Sequence, residues 1–373
     1  MKQTNKQQRI LVLGGYGTFG RRIVKALCSK GFTLFVNGRN KTKAQVLLEN
    51  ILKQQPDAKV MDACFDVFVE LKTHLEKIKP DLVIHCCGPF QDQDTAIAQT
   101  IITAGIHYID LADGRAYCQN ILKLNSLAEQ NQVTAITGAS TVPTLSSAVL
   151  LHLQKTFHIK SFESVRIGIS PGQKTSRGLA TTQAVLSYVG QPLKPWPGLN
   201  KTKFGWQDTY LQPYPGIKNR LMGNCEAADL DLLHQHFPIN KLSFSAGMES
   251  KLLHGLIWFC SWMVRLGLPL KLADHGARLL SVSRWFDFLG GHDGGMHVEI
   301  KALDHHGTHI SKTWYVIAKH NDGPQIPSIP AIILAEKILN QNLATGARSS
   351  VNQVSLTEYS DAFQGLAIQT LIL

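Results

Sequence analysis

The stretch ILVLGGYGTFG, residues 10–20, constrains the fold more than any other part of the chain. An apolar run at 10–13 leads into it, and the helix-like run RRIVKAL at 21–27 leads out. Between them Gly15, Gly17 and Gly20 fall on the G-x-G-x-x-G spacing. In a strand–turn–helix of this kind the first glycine permits the tight turn and the second lets backbone approach a pyrophosphate. The third lets the helix lie against the strand with its N-terminal amides toward the anion. The spacing predicts a dinucleotide-binding βα unit, with Tyr16, Thr18 and Phe19 in the same cofactor contact as the three glycines. A glycine-rich turn that binds nothing is the alternative.

The rest of residues 1–150 repeats the pattern. Strands are expected at 10–13, 32–37, 58–62, 81–86, 107–111 and 133–137, with helices at 19–30, 41–54, 68–77, 92–104 and 118–130 between them. A βαβα alternation implies a parallel sheet with helices on both faces. The run DLVIHCC shows little alternation, as expected of a strand covered on both sides. After about residue 150 the rhythm breaks. SFESVRIGIS reads as a strand, 190–217 as a loop rich in Pro, Gly and Trp, and MHVEIKAL with THISKTWYVIA as an antiparallel hairpin. The expected architecture is therefore α/β: a Rossmann doubly wound parallel sheet over 1–150, followed by an α+β domain with a mostly antiparallel sheet over 151–322. The proline-punctuated segment 323–350 is expected to pack back on the first domain.

Composition excludes several classes. At 373 residues and 44 % hydrophobic content the chain is long and apolar enough for two cores. Its net charge of +11 is spread, with 17 basic against 12 acidic residues in 1–150 and 21 against 15 in the remainder, so no nucleic-acid face is indicated. The opening MKQTNKQQR lacks the apolar core of a signal peptide, and the seven cysteines are odd in number, scattered and without a C-x-x-C pair. A cytoplasmic protein with free thiols is expected. The histidines 305, 306 and 309 lie around a turn without partners at ligand spacing, and no metal is expected.

The choice of dinucleotide is read at the end of the second strand. An NAD site places an acid there to bind the ribose hydroxyls. FTLFV is instead followed by Asn37-Gly38-Arg39-Asn40, with no carboxylate to repel a 2′-phosphate and an arginine placed to pair with one. This predicts NADP(H), with Asn37, Arg39, Asn40 and Lys43 around the phosphate. Asp66 follows the third strand, where side chains line an adenine pocket; a turn or helix-cap role is the alternative.

Together with later segments these residues resemble the saccharopine dehydrogenase-like oxidoreductase family. The matching stretches are LVLGGYGTFGRRI, NGRN, DLVIHCCGPFQDQD, AGIHYIDLADGR, TGASTVPTLSSAV, SRGLATTQ, GGHDGGM and GPQIPSIPA. The resemblance implies an NADP-binding Rossmann domain, then a domain for a small-molecule substrate and for dimerisation. The second domain is similar in layout to lipid-associated members and to bacterial trans-acting enoyl reductases. TGASTVPTLSS stands where saccharopine reductases carry a glycine-aspartate-proline-glycine type turn, so the resemblance implies the cofactor and not saccharopine as substrate.

Chemistry is expected beyond the carboxyl ends of the strands. The loop Cys87-Gly88-Pro89-Phe90 suits the nicotinamide ribose, because glycine permits close approach and proline fixes the path. Asp110 and Asp113 are candidate proton donors or orienting carboxylates, Arg115 a partner for an acidic substrate, and the ADG turn offers Asp113 a purely local role. From the second domain Arg177 and His292, beside Asp293, are candidates on glycine-flanked loops. The segment 252–270, LLHGLIWFCSWMVRLGLPL, is apolar nearly all round a helix; His254 and Arg265 interrupt it, so it reads as a core, dimer-interface or lipid-facing helix and not a membrane span. A hydride-transferring enzyme and a membrane-peripheral cofactor-binding protein without turnover both fit these features.

Overall fold

A computed structural model describes residues 7–373. In chain order the elements are β1 (Arg9–Leu13), α1 (Gly20–Cys28), β2 (Thr33–Asn37), α2 (Lys41–Gln54), β3 (Val60–Ala63), α3 (Leu71–Ile78), β4 (Leu82–His85), α4 (Ala96–Thr103), β5 (His107–Asp110), α5 (Arg115–Leu122), α6 (Asn125–Gln130), β6 (Thr134–Thr137), α7 (Ser146–Thr156), β7 (Ile159–Ser170), α8 (Leu179–Ser187), β8 (Tyr210–Tyr214), β9 (Ile217–Asn224), α9 (Asp229–Leu232), β10 (Leu242–Met248), α10 (Lys251–Arg265), α11 (Gly276–Trp285), β11 (Gly294–Asp304), β12 (His309–Ala318), α12 (Ile329–Leu339), β13 (Gly346–Ser349), α13 (Leu356–Ala362) and β14 (Ile368–Ile372). They form two compact units. The first runs to Thr141 and takes in Pro327–Gln353; the second comprises Val142–Ile326 and Val354–Leu373. A boundary at 150 would cut α7, which lies wholly in the second unit.

The first unit is built on a seven-stranded sheet in the order β13-β6-β5-β4-β1-β2-β3, with every pairing parallel. From β3 to β6 this is the doubly wound Rossmann order. The central strands are apolar throughout: residues 10–13 and 82–84 are fully buried, because helices cover both faces. Helix starts follow local chemistry, as at α2, where the Asn40 side chain accepts from the Lys43 amide at 3.0 Å. β13 was not expected; it extends the sheet from the far end of the chain, with Arg348 opposite Ile136.

The second unit carries a mixed sheet in the order β14-β12-β11-β7-β10-β9-β8. β11 and β12 form the expected hairpin, and only β10 with β7 is parallel within this sheet. Within 190–217, read as loop, the structure has strand β8. The reason is Pro213: it lacks an amide hydrogen, yet β8 is an edge strand, and the register shifts between Gln212 and Tyr214 to accommodate it.

Candidate functional site

The turn after β1 is set by glycines at one more position than the motif reveals. Gly14, at φ +71°, makes the left-handed turn, and the Gly15 and Gly17 amides donate to Asn37 O (2.8 Å) and Gly14 O (2.9 Å). Gly20 has the packing role expected of it: a Cβ there would lie 2.4 Å from Gly14 O. At Gly17 a Cβ would meet only Gly14 O, at 3.0 Å, so its outer side is open, as a phosphate cradle requires. Tyr16 covers the end of β2. A Cβ on Gly38 would stand 2.0 Å from its ring, and its hydroxyl accepts from the Asn40 amide at 3.0 Å.

At the end of β2, Arg39 is exposed beside the start of α2, whose first turn holds Lys41 and Lys43 and no acid. A cation, helix N-terminal amides and two lysines thus stand where an NAD site would have a carboxylate. Asn37 departs from expectation. It is buried, and its amide donates to Ala63 O (2.9 Å) and Phe65 O (3.1 Å), so it ties β2 to the chain leaving β3 instead of facing a phosphate. Asp66 makes a local turn, accepting from the Phe68 amide at 3.0 Å while its own amide donates to Glu70 at 3.0 Å. Arg39, Asp66 and Cys87 share one electrostatic neighbourhood. Burial pushes the Cys87 thiol up to about 12, with Arg39 pulling it down and Asp66 pushing it up, so Cys87 is a neutral packing group against Gly14 and no thiolate.

The loops after β4, β5 and β6 converge. Gln91 donates to Asp113 at 3.0 Å, a Cβ on Gly114 would lie 2.8 Å from Phe90 O, and the Ala139 amide donates to Asp110 O at 2.8 Å. Asp110 is the hub: one carboxylate oxygen accepts from the amides of Ala112 (2.9 Å) and Gly138 (2.8 Å) and from the Thr137 hydroxyl (2.9 Å). Burial nevertheless pushes its carboxyl up to about 6. Asp113 is also raised by burial, against the Gln91 hydrogen bond that holds its charge. Phe90, expected at the cofactor, turns its ring inward, 5.1 Å from both His85 and Tyr117, and anchors the loop from below. Beneath it the His85 Nδ1, Tyr108 hydroxyl and Tyr117 hydroxyl form a buried chain at 3.0 and 2.8 Å, which the sequence did not reveal. Burial pulls His85 down to about 3, so its imidazole is neutral.

In the second unit Arg177 is engaged: its guanidinium pairs with Asp287 at 2.5 Å. His292 is exposed, and its carbonyl accepts from the Thr175 hydroxyl at 3.2 Å. The loop around it is fastened by Glu249, which accepts from the amides of Gln173 (2.9 Å) and Gly291 (2.8 Å), and by buried Arg220, which donates to Asp293 O at 2.9 Å. A cluster without a sequence signal surrounds His297, whose ring nitrogens meet the hydroxyls of Tyr214 (2.8 Å) and Tyr210 (3.3 Å). Among the described residues there is no group of His, Cys, Asp or Glu able to hold a metal ion, and no helix is long and apolar enough to cross a membrane.

A glycine turn at the head of a parallel sheet, with a cationic lip where an acid would bind ribose, defines a dinucleotide-binding unit of the dehydrogenase type. Residues 10–136 match the family model described as the saccharopine dehydrogenase NADP binding domain. Residues 10–136 of the first unit are therefore an NADP(H)-binding domain of that type. No curated protein matches it. Among solved structures it is similar to an amine dehydrogenase from Mycobacterium smegmatis (13 % identity over 93 % of this chain and 96 % of that one, TM-score 0.49). It is also similar to a meso-DAP dehydrogenase mutant from Clostridium tetani (12 %, 94 % and 96 %, TM-score 0.48) and to the WlbA dehydrogenase from Thermus thermophilus (11 %, 91 % and 90 %, TM-score 0.42).

Proposed function

We propose that the chain is an NADP(H)-dependent oxidoreductase acting on a small substrate. The observation that carries this reading is the exposed Arg39 at the end of β2, beside an α2 start that holds lysines and no acid. Arg39 and Lys43 grip the 2′-phosphate, the amides at the open start of α1 around Thr18 and Phe19 meet the pyrophosphate, and Gly17 leaves it room. Exposed Phe68 and Val69, beside the Asp66 turn, offer the adenine an apolar face. When bound, the nicotinamide supplies or takes up the hydride. The chain's part is orientation and proton handling: Asp110 braces the loops after β5 and β6 through its hydrogen bonds, and Asp113, its carboxyl raised by burial and its side chain held by Gln91, stands to exchange the proton that accompanies hydride transfer.

Titration with both cofactors tests the reading. Arg39→Ala should weaken NADPH binding about 10- to 100-fold, the loss of a charge-assisted pair, and leave NADH unchanged. Equal loss for both cofactors, or for neither, would remove Arg39 from the phosphate site.

A further inference from the structure

Helix α10 divides into two unlike faces. Its inner face carries Leu253, His254, Ile257, Cys260 and Ser261: His254 stands edge-on to Trp206 at 5.4 Å, and Ile257 and Cys260 pack on the cluster of Leu186, Val189 and Trp206. Leu272, Ala273 and Leu279, which lead into and along α11, pack on the same cluster. The outer face of a surface helix is normally polar. Here it is apolar: Leu252, Leu256, Phe259 and Leu266 recur at helical spacing with Trp258 and Trp262 alongside, and all are exposed. The exposed apolar run continues through Leu268 and Leu270 and along α11 as Val282 and Trp285, then Phe288, the last two being 76 % and 74 % exposed.

Charge says what covers this face. Within 251–288 the cations are Lys251, Arg265, Lys271, Arg278 and Arg284, against Asp274 and Asp287, and Asp287 is already paired with Arg177. Lys251, Lys271, Arg278 and Arg284 are exposed. A second copy docked across a two-fold axis would set this basic patch against itself. An anionic surface would meet it favourably, and exposed tryptophans among basic residues suit the bilayer interface, where an apolar ring body and a polar ring nitrogen are both satisfied. α10 is 15 residues long, about 22 Å at the helical rise, against a hydrocarbon core of about 30 Å, so it can lie in the interface but cannot cross.

We propose that 251–288 is an interfacial docking face for an anionic phospholipid bilayer, with α10 and α11 lying in the plane of the headgroups. The proposal is independent of the cofactor reading. It is tested by co-sedimenting the full chain, without cofactor, with vesicles of phosphatidylcholine alone or mixed with phosphatidylglycerol, at low and high salt. Binding to the anionic vesicles should exceed binding to the neutral ones by roughly ten-fold or more and fall as salt rises. Phe259→Ser combined with Phe288→Ser should abolish it, and Lys271→Glu combined with Arg278→Glu should cut it comparably; the melting temperature of each variant without cofactor should stay at the wild-type value, showing an intact fold. Wild-type protein that stays in the supernatant with every vesicle, or a stable dimer that the Phe259→Ser and Phe288→Ser pair converts to monomer, would overturn the proposal.

Discussion

Four strands of the parallel sheet carry a buried polar side chain at their last position: Asn37 ends β2, His85 ends β4, Asp110 ends β5 and Thr137 ends β6. The mixed sheet does the opposite. It buries His297 in mid-strand at zero exposure and closes the polar interior with Tyr210 and Tyr214 from its edge strand β8, with three strands between β8 and β11 in the sheet order. The difference follows from covering. A parallel sheet sandwiched by helices has no side on which a polar group meets water, so such groups collect where the strands end and the loops open. In the mixed sheet the buried imidazole of His297 brings its partners along, and the tyrosine hydroxyls around it serve that purpose.

The comparison breaks most sharply at Gly17. Gly17→Val should fill the phosphate cradle and take NADPH binding below detection, a loss of at least ~100-fold or about 2.7 kcal/mol. Its melting temperature without cofactor should fall by no more than a few degrees, because the added Cβ has a single tight neighbour, Gly14 O at 3.0 Å. A variant that keeps the cofactor-induced rise in melting temperature would show that the turn is structural and the strand-end rule empty here. Next is Asp113→Asn. With the proton site removed, turnover should fall about 100-fold at unchanged NADPH affinity; unchanged turnover would leave Asp113 as a turn residue bonded to Gln91.

For the mixed sheet the corresponding test is His297→Phe, which takes from the Tyr214 hydroxyl its imidazole partner and leaves Tyr210 bonded to Ser245 alone, and should cost about 2 kcal/mol of stability in denaturant melts. Burial, aided by the Arg166 charge, pulls the native His297 down to about 3, below its ordinary 6.5. As pH falls below 6.5 the unfolded chain takes a proton that the native imidazole refuses. The contribution of His297 is therefore complete above 6.5 and lost as pH falls toward 3. The variant should lose part of that acid slope. His85, pulled down to about 3 in the first unit, should keep its own share. An acid slope identical in wild type and variant would place the proton uptake elsewhere.

The sequence by itself determined the features that arise from local spacing. Gly15, Gly17 and Gly20 lie within one turn of chain, the βα rhythm is a pattern of near neighbours, and the missing acid at Arg39 is a single position counted from the end of a strand. The same holds for the β11–β12 hairpin, whose turn is closed by the Asp304 carboxylate accepting from the amides of His306 and Thr308, both at 2.8 Å. What only the tertiary structure decided rests on partners far apart in sequence. Asn37 looked like a phosphate ligand until its amide met Ala63 and Phe65, and Phe90 looked like a cofactor contact until its ring met His85 and Tyr117. Nothing near Tyr214 in the sequence announces His297, 83 residues on, and nothing near 252–270 says which half of that helix the Trp206 cluster covers. A side chain's chemistry is written in the sequence, but its role depends on which groups desolvate it, and long-range packing alone supplies those.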